Sequence, residues 1–212
     1  FLRGYSPIAP LGGLSPFSTT STTWERKWPV KPDVVFEGGN VARGGPNDSV
    51  FDTDDLKLIS TCSDLQIAQF APFDKTSAAT AQASWMAAVI QTQYPEMWPE
   101  TVRALIVHTA EWTEAMLTQV MPVPPRQPSK GDYTRLLRIC GYGVPNLERA
   151  LYCASNSLTL VSEAEIQPYG EHNGRYVTQD MHFYRLPWPL EVLRDLGETE
   201  IRMRVTLSYF SE

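Results

Sequence analysis

Cysteine is scarce in this sequence and nowhere paired. Cys62, Cys140 and Cys153 are the three among 212 residues, and no two of them form a C-x-x-C. That pattern points away from a disulfide framework and a cysteine-held zinc, and towards buried thiols in a reducing, cytoplasmic setting. Cations are also in short supply. Lys and Arg total 18 against 24 Asp and Glu, a net charge of -6, and they form no cluster. A nucleic-acid partner is therefore not expected. The longest apolar stretch, residues 83–90, is far shorter than the roughly 20 residues needed to span a bilayer, so no membrane partner is expected either. Nothing near Phe1 reads as a secretory leader. The sequence begins with Phe rather than Met, and Glu212 follows directly on a strand pattern, so both ends are expected to be cuts in a longer polypeptide. The acidic loop with Asp48, Asp52, Asp54 and Asp55 lacks the Gly and terminal Glu of a calcium-binding hand and reads as solvated surface. No metal or cofactor is expected.

What is present suits a globular protein with a sizeable core: 42% hydrophobic and 20% charged residues. Residues 1–30, rich in Ser, Thr, Pro and Gly, read as loop and turn. Asp33-Val34-Val35-Phe36 reads as a short buried strand stopped by Gly38-Gly39. Residues 56–61 and 65–70 resemble the two arms of a hairpin. From residue 77 to 94 there is no Gly or Pro and much Ala, which predicts a helix ended by Pro95. Its small residues lie on every face, so it is expected to be buried all round. Pro99-Glu100 opens a second helix, with Val102, Leu105, Ile106 and Ala110 at helical spacing. Residues 122–131, with four prolines, read as a linker. Shorter helices are predicted over 133–140 and 146–154, either side of Gly141-Tyr142-Gly143. Beyond 155 the pattern turns strand-like at 158–161, at 176–184 and most clearly at 201–209. There Ile201, Met203, Val205, Leu207 and Tyr209 alternate with Arg202, Arg204, Thr206 and Ser208, predicting one buried and one wet face. A short helix over 190–196 is closed by Gly197. Trp188, between Pro187 and Pro189, is a candidate anchor, either for a partner or for packing the C-terminal extension against the rest of the chain.

Ser77 is where chemistry is expected. It sits where an extended segment, Phe70-Ala71-Pro72-Phe73-Asp74, enters the Ala-rich helix. A hydroxyl at that place lies near free backbone N–H groups and the positive end of the helix dipole, which suits acyl transfer. On position alone, helix capping by Thr76 or Ser77 outweighs catalysis. The neighbours change that balance. Thr76-Ser77-Ala78-Ala79-Thr80-Ala81 resembles the serine motif of subtilases, Gly-Thr-Ser-x-Ala-x-Pro. Lys31-Pro32-Asp33-Val34-Val35 is similar to the family's Lys-Pro-Asp-Val strand. Pro99-Glu100-Thr101-Val102-Arg103-Ala104-Leu105-Ile106 is similar to its next helix, and Gly141-Tyr142-Gly143-Val144-Pro145-Asn146 to its closing turn. The resemblance spans about residues 14–155. Lys75 departs from it, standing where the family has Gly, and so does Ala81, standing where it usually has Pro.

The resemblance implies an α/β fold: residues 1–155 as the C-terminal part of a subtilisin-like, mostly parallel sheet with packed helices, and residues 156–212 as a β-rich extension. It implies a serine endopeptidase whose nucleophile is Ser77, with Thr76 beside the oxyanion site. In that family the Asp and His precede the Ser, so both, and the amide completing the oxyanion hole, are expected in an upstream segment of the same protein. The substrate is a peptide or protein, and the chain alone is expected to be inactive. His108, His172 and His182 all follow Ser77 in other contexts: a second-helix residue expected to be structural, a Gly-flanked loop and a strand pattern. The rival is a non-catalytic module that keeps the scaffold for binding or assembly. An α/β-hydrolase esterase is rejected because no G-x-S-x-G surrounds Ser77.

Overall fold

The computed structural model describes residues 4–23, 30–45, 47–122, 126–156, 159–186 and 188–210, the side chains of 153–156 excepted. Cys153 therefore lies outside the described side chains, while Cys62 is half-buried and Cys140 buried, both free thiols. Helices and small strands are mixed, consistent with an α/β composition. Among the described residues no helix is long and apolar enough to cross a membrane.

The helices form the framework. Helix α1, Lys75–Gln93, is the predicted Ala-rich helix, starting two residues earlier than its composition suggested. Three of its hydroxyls bond back to their own helix, Thr80 to the Thr76 carbonyl at 2.8 Å, Ser84 to that of Thr80 at 2.9 Å and Thr92 to that of Ala88 at 2.7 Å. The expectation of burial all round is corrected. Ala78, Met86 and Ile90 are buried along one face, but Trp85 is 61% exposed. Helices α2 (Pro99–Thr109) and α5 (Leu147–Asn156) pack against this helix, while its Ser84, Trp85 and Ala88 are exposed. The core between them joins Met86 and Ile90 to Val102, Leu105 and Ala150.

A second core forms where α3 (Glu114–Val120) meets α4 (Lys130–Cys140), through Met116, Val120, Leu136 and Cys140. Helix α3 has no counterpart in the sequence reading. It is only 7 residues long, and its local signal is the Thr113 cap, whose hydroxyl accepts from Met116 N at 3.1 Å. Helix α4 begins with a capping box between Ser129 and Asp132.

The sheets depart most from expectation. Among the described residues there are three two-stranded antiparallel pairs and no parallel ladder. Strand β1 (Ser6–Pro7) pairs with β2 (Ala42–Arg43), and β3 (Leu58–Thr61) with β4 (Phe70–Phe73). The second arm of the β3–β4 hairpin starts later than predicted. Asp64 folds residues 64–68 into a turn, its carboxylate accepting from Gln66 N and its carbonyl from Ile67 N and Ala68 N. Residues 33–36 are not a ladder strand. Their backbone partners lie in the Gly141–Gly143 turn: Tyr142 N donates to the Asp33 carbonyl at 2.8 Å and Val35 N to that of Gly143 at 3.0 Å. The turn approaches too closely for any side chain. A Cβ on Gly141 would stand 2.4 Å from the Asp33 oxygen, and one on Gly143 2.2 Å from the Glu111 oxygen.

Beyond residue 158, strand β5 (Tyr169–His172) and strand β6 (Arg175–Thr178) form a hairpin around Asn173-Gly174, both at positive φ. The predicted strand at 176–184 is thus confined to its first residues, and His172 belongs to a strand rather than a loop. His182 is in no strand. Of the 158–161 candidate, Leu158 lies outside the described residues, and 159–161 form no strand. Pro187 is likewise outside them, and Trp188 is 52% exposed rather than packed. Helix α6, Leu190–Asp195, matches its prediction, with Gly197 at φ 57 closing it.

Residues 201–209 reverse their expected orientation. They have no ladder partner among the described residues, and the apolar face points outward: Val205 is 78% and Leu207 81% exposed. The polar face meets α2. Thr206 Oγ1 lies 2.9 Å from His108 Nδ1, Arg103 Nη1 donates to Ser208 Oγ at 3.1 Å, and Arg204 Nη1 donates to the carbonyls of His108 and Ala110. Hydrogen bonds to the end of α2, rather than apolar burial, set which face looks inward.

Candidate active site

The chain enters α1 through Asp74, extended at φ -144, and turns at Lys75, whose φ is 67. For a residue with a Cβ this left-handed conformation is unfavourable. Lys75 N donates to the Gly38 carbonyl at 2.7 Å, which ties the turn to residues 38–39. Gln82 Nε2 donates to the Glu37 carbonyl at 2.7 Å about two turns further along. Asp74 stands at the capping position, yet its side chain caps nothing. Its carboxylate instead accepts from Lys75 Nζ at 3.1 and 3.3 Å.

Ser77 is the third residue of α1 and is exposed. Its hydroxyl hydrogen-bonds to none of the described residues, so it has no capping duty. Thr76, also exposed, offers its carbonyl to Thr80. The backbone N–H groups of Thr76 and Ser77 lie in the first turn, where a helix supplies no acceptor of its own. An exposed hydroxyl beside such donors, at the positive end of a 19-residue helix, is suited to holding an anion formed at that oxygen.

No histidine reaches Ser77 through a hydrogen bond among the described residues. His108 is engaged with Thr206 at the far end of α2. Its pKa is held below the ordinary 6.5 by burial, then by the charges of Arg204 and Arg149. His182 lies against Tyr184, ring to ring at 6.4 Å, and His172 ends β5. Asp33 serves structure: Arg103 Nη2 donates to it at 2.7 Å and Lys31 also pairs with it. Burial opposes its charge, but those two cations outweigh burial and hold the carboxyl below the usual range.

The acidic loop is occupied by its own partners. Asp52 and Asp54 clasp Lys57 Nζ at 3.1 and 3.0 Å. No group of three or more metal-ligating side chains gathers among the described residues. A cavity of about 460 Å³ lies at the other end of α1, against Tyr94, Met97, Val161 and Glu163. Sixteen helical residues, about 24 Å, separate it from Ser77.

Sequence reasoning singled out Ser77, Thr76 and the departure at Lys75, which the structure brings together in the first turn of α1. It missed Phe17, over whose ring the Lys75 ammonium stands at 4.9 Å, because a contact across 58 positions leaves no local trace. It also missed the engagement of Asp74.

A family model described as the subtilase family matches residues 8–143, about two-thirds of the chain. No curated protein and no solved structure matches it significantly. The matched span contains the Lys75-Thr76-Ser77 turn, helices α1 to α4 and the Gly141-Tyr142-Gly143 turn, and it ends at Gly143, short of α5. The chain belongs to the subtilase family, a lineage of subtilisin-like serine peptidases.

Proposed function

We propose that this chain carries the nucleophile of a serine endopeptidase, Ser77. Ser77 Oγ attacks the scissile carbonyl carbon, and its proton passes to a histidine imidazole oriented by an aspartate. The oxyanion accepts from the Ser77 N–H beside Thr76. Collapse breaks the C–N bond, the imidazolium returns its proton to the leaving amine, and water then hydrolyses the acyl ester by the same steps. The Asp, the His and a side-chain amide for the oxyanion come from a segment upstream of Phe1.

One observation carries this reading. The residue before Thr76-Ser77 adopts the positive φ of 67 that glycine favours, although it is Lys. The position where the family motif has Gly thus keeps a backbone shape that glycine favours, next to an exposed hydroxyl that bonds to none of the described residues.

A fluorophosphonate probe tests it. The chain alone should not be labelled stoichiometrically, because a serine without its base is a weak nucleophile. Joined to its upstream segment it should be labelled at Ser77, and Ser77→Ala should abolish labelling. Stoichiometric labelling of the chain alone, or labelling that survives Ser77→Ala, contradicts the proposal. The departure at Lys75 favours a second reading, a non-catalytic subtilase module. Absence of Asp-x-Gly and His-Gly-Thr-like motifs upstream of Phe1 would decide for it.

A further inference from the structure

Aspartate is among the best helix caps, and at a capping position its carboxylate ordinarily accepts from the N–H of the second or third helical residue. Counting from Lys75, those residues are Thr76 and Ser77. The Ser77 N–H is the donor that the proposed chemistry needs for the oxyanion. A capping Asp74 would occupy it with a negative charge and oppose the anion formed there. Asp74 is 15% exposed and in place to do this, with extended backbone angles of φ -144 and ψ -174. It does not cap.

What diverts it is Lys75. The ammonium holds both Asp74 oxygens, at 3.1 and 3.3 Å, and stands over the Phe17 ring at 4.9 Å, within cation–π reach. The Lys75 N–H is fixed to the Gly38 carbonyl at 2.7 Å. Contacts from residues 17, 38 and 74 converge on the one non-glycine residue of α1 at positive φ.

We propose that Lys75 is a positioning residue that acts through Asp74: its ammonium, seated on Phe17, draws the Asp74 carboxylate off the first turn of α1 and keeps the Ser77 N–H open for a substrate oxyanion. The proposal rests on Ser77 as nucleophile only for its catalytic consequence. Its structural half stands by itself.

Both halves have a readout. In this chain, amide exchange at Ser77 should be fast, and Lys75→Met should slow it about tenfold as Asp74 turns to cap. Lys75→Arg should keep it fast. In the protein with its upstream segment, Lys75→Met should lower the rate of fluorophosphonate labelling about tenfold or more, in kcat rather than KM with a peptide substrate. Asp74→Ala in the Lys75→Met background should restore the rate, which loss of fold would not allow. Unchanged Ser77 exchange in Lys75→Met, or no rescue by Asp74→Ala, overturns the proposal. If the parent is never labelled at Ser77 but the exchange result holds, the catalytic reading fails and the diversion of Asp74 stands.

Discussion

Removing the guanidinium of Arg204 should loosen residues 201–208 from the end of α2 without unfolding the helical framework. A helix leaves its last carbonyls without internal partners, and Arg204 Nη1 supplies one donor to two of the carbonyls there, those of His108 and Ala110. A charged donor to a carbonyl contributes about 1.5–3 kcal/mol when sheltered, and a cation at a helix C-terminus about 0.3–1 kcal/mol when exposed. Arg204 is an exposed residue, so the lower range applies, and about 1 kcal/mol is expected. That corresponds to roughly a fivefold rise in local opening. Two contacts remain, Thr206 with His108 and Ser208 with Arg103, so the segment should open more often rather than detach. Chymotrypsin is the suitable probe, because Leu207 and Tyr209 are exposed and the substitution destroys no chymotryptic site. Arg204→Ala should raise the initial rate of cleavage there about fivefold and leave the urea midpoint of the helical signal unchanged. A cleavage rate equal to that of the parent would refute the assignment of Arg204 as the clamp. A collapse of the urea midpoint would refute the view that 201–208 is a peripheral strap.

Three further outcomes follow from the packing and the charges. Ile90 is wholly buried against Met86, Val102, Leu105 and Ala150, so Ile90→Ala should cost about 3 kcal/mol in urea unfolding; a loss under about 1 kcal/mol would place that core elsewhere. Gly143→Ala puts a Cβ 2.2 Å from the Glu111 carbonyl oxygen at φ 99, and should destabilise by at least about 2 kcal/mol or abolish soluble expression; a neutral substitution would mean the turn is not closed against residue 111. His108 is half-buried beside Arg204 of the strap and Arg149 of α5, the latter paired with Glu111, while Arg103 on its own helix is paired with Asp33. Its native pKa is depressed, so its neutral form is favoured in the docked state. The contribution to docking is complete above the ordinary 6.5 and is lost as pH falls from there through the native value. Chymotryptic cleavage at 207 and 209 should therefore rise on acidification in the parent and lose that pH dependence in His108→Gln; an equal rise in both would exclude His108 as its source.

How much of the molecule was legible beforehand depended on the range of the forces involved. The long helices could be read because their causes are local. Ala content and the bounding prolines delimit α1, and Pro99 with Glu100 opens α2. The Gly-x-Gly turn was legible from its resemblance to the family's closing turn, and the structure supplies the reason for its glycines: a Cβ there would stand 2.2–2.4 Å from neighbouring carbonyl oxygens. Helix α3 was not, since 7 residues with a single cap carry too little periodicity. The candidate site divided the same way. Ser77 and Thr76 were singled out from a six-residue motif, and the structure places both exposed in the first turn of α1, whereas the positive φ at Lys75 became visible only in the fold.

The sequence by itself determined the family, the helical framework and the place of Ser77 at the head of α1, because capping, propensity and motif spacing all act within a few residues. Only the tertiary structure decided which face of each element is buried. Alternation at 201–209 shows that two faces differ, but the inward one was chosen by Arg103, His108 and the end of α2 roughly a hundred residues away. Likewise, the extended run at 33–36 had no means of specifying its partners, since backbone pairing carries no side-chain label, and its partners proved to be a turn at 142–143. The diversion of Asp74 by a lysine resting on Phe17 belongs to the same class. Such contacts are set by where remote segments meet, which the full fold alone determines.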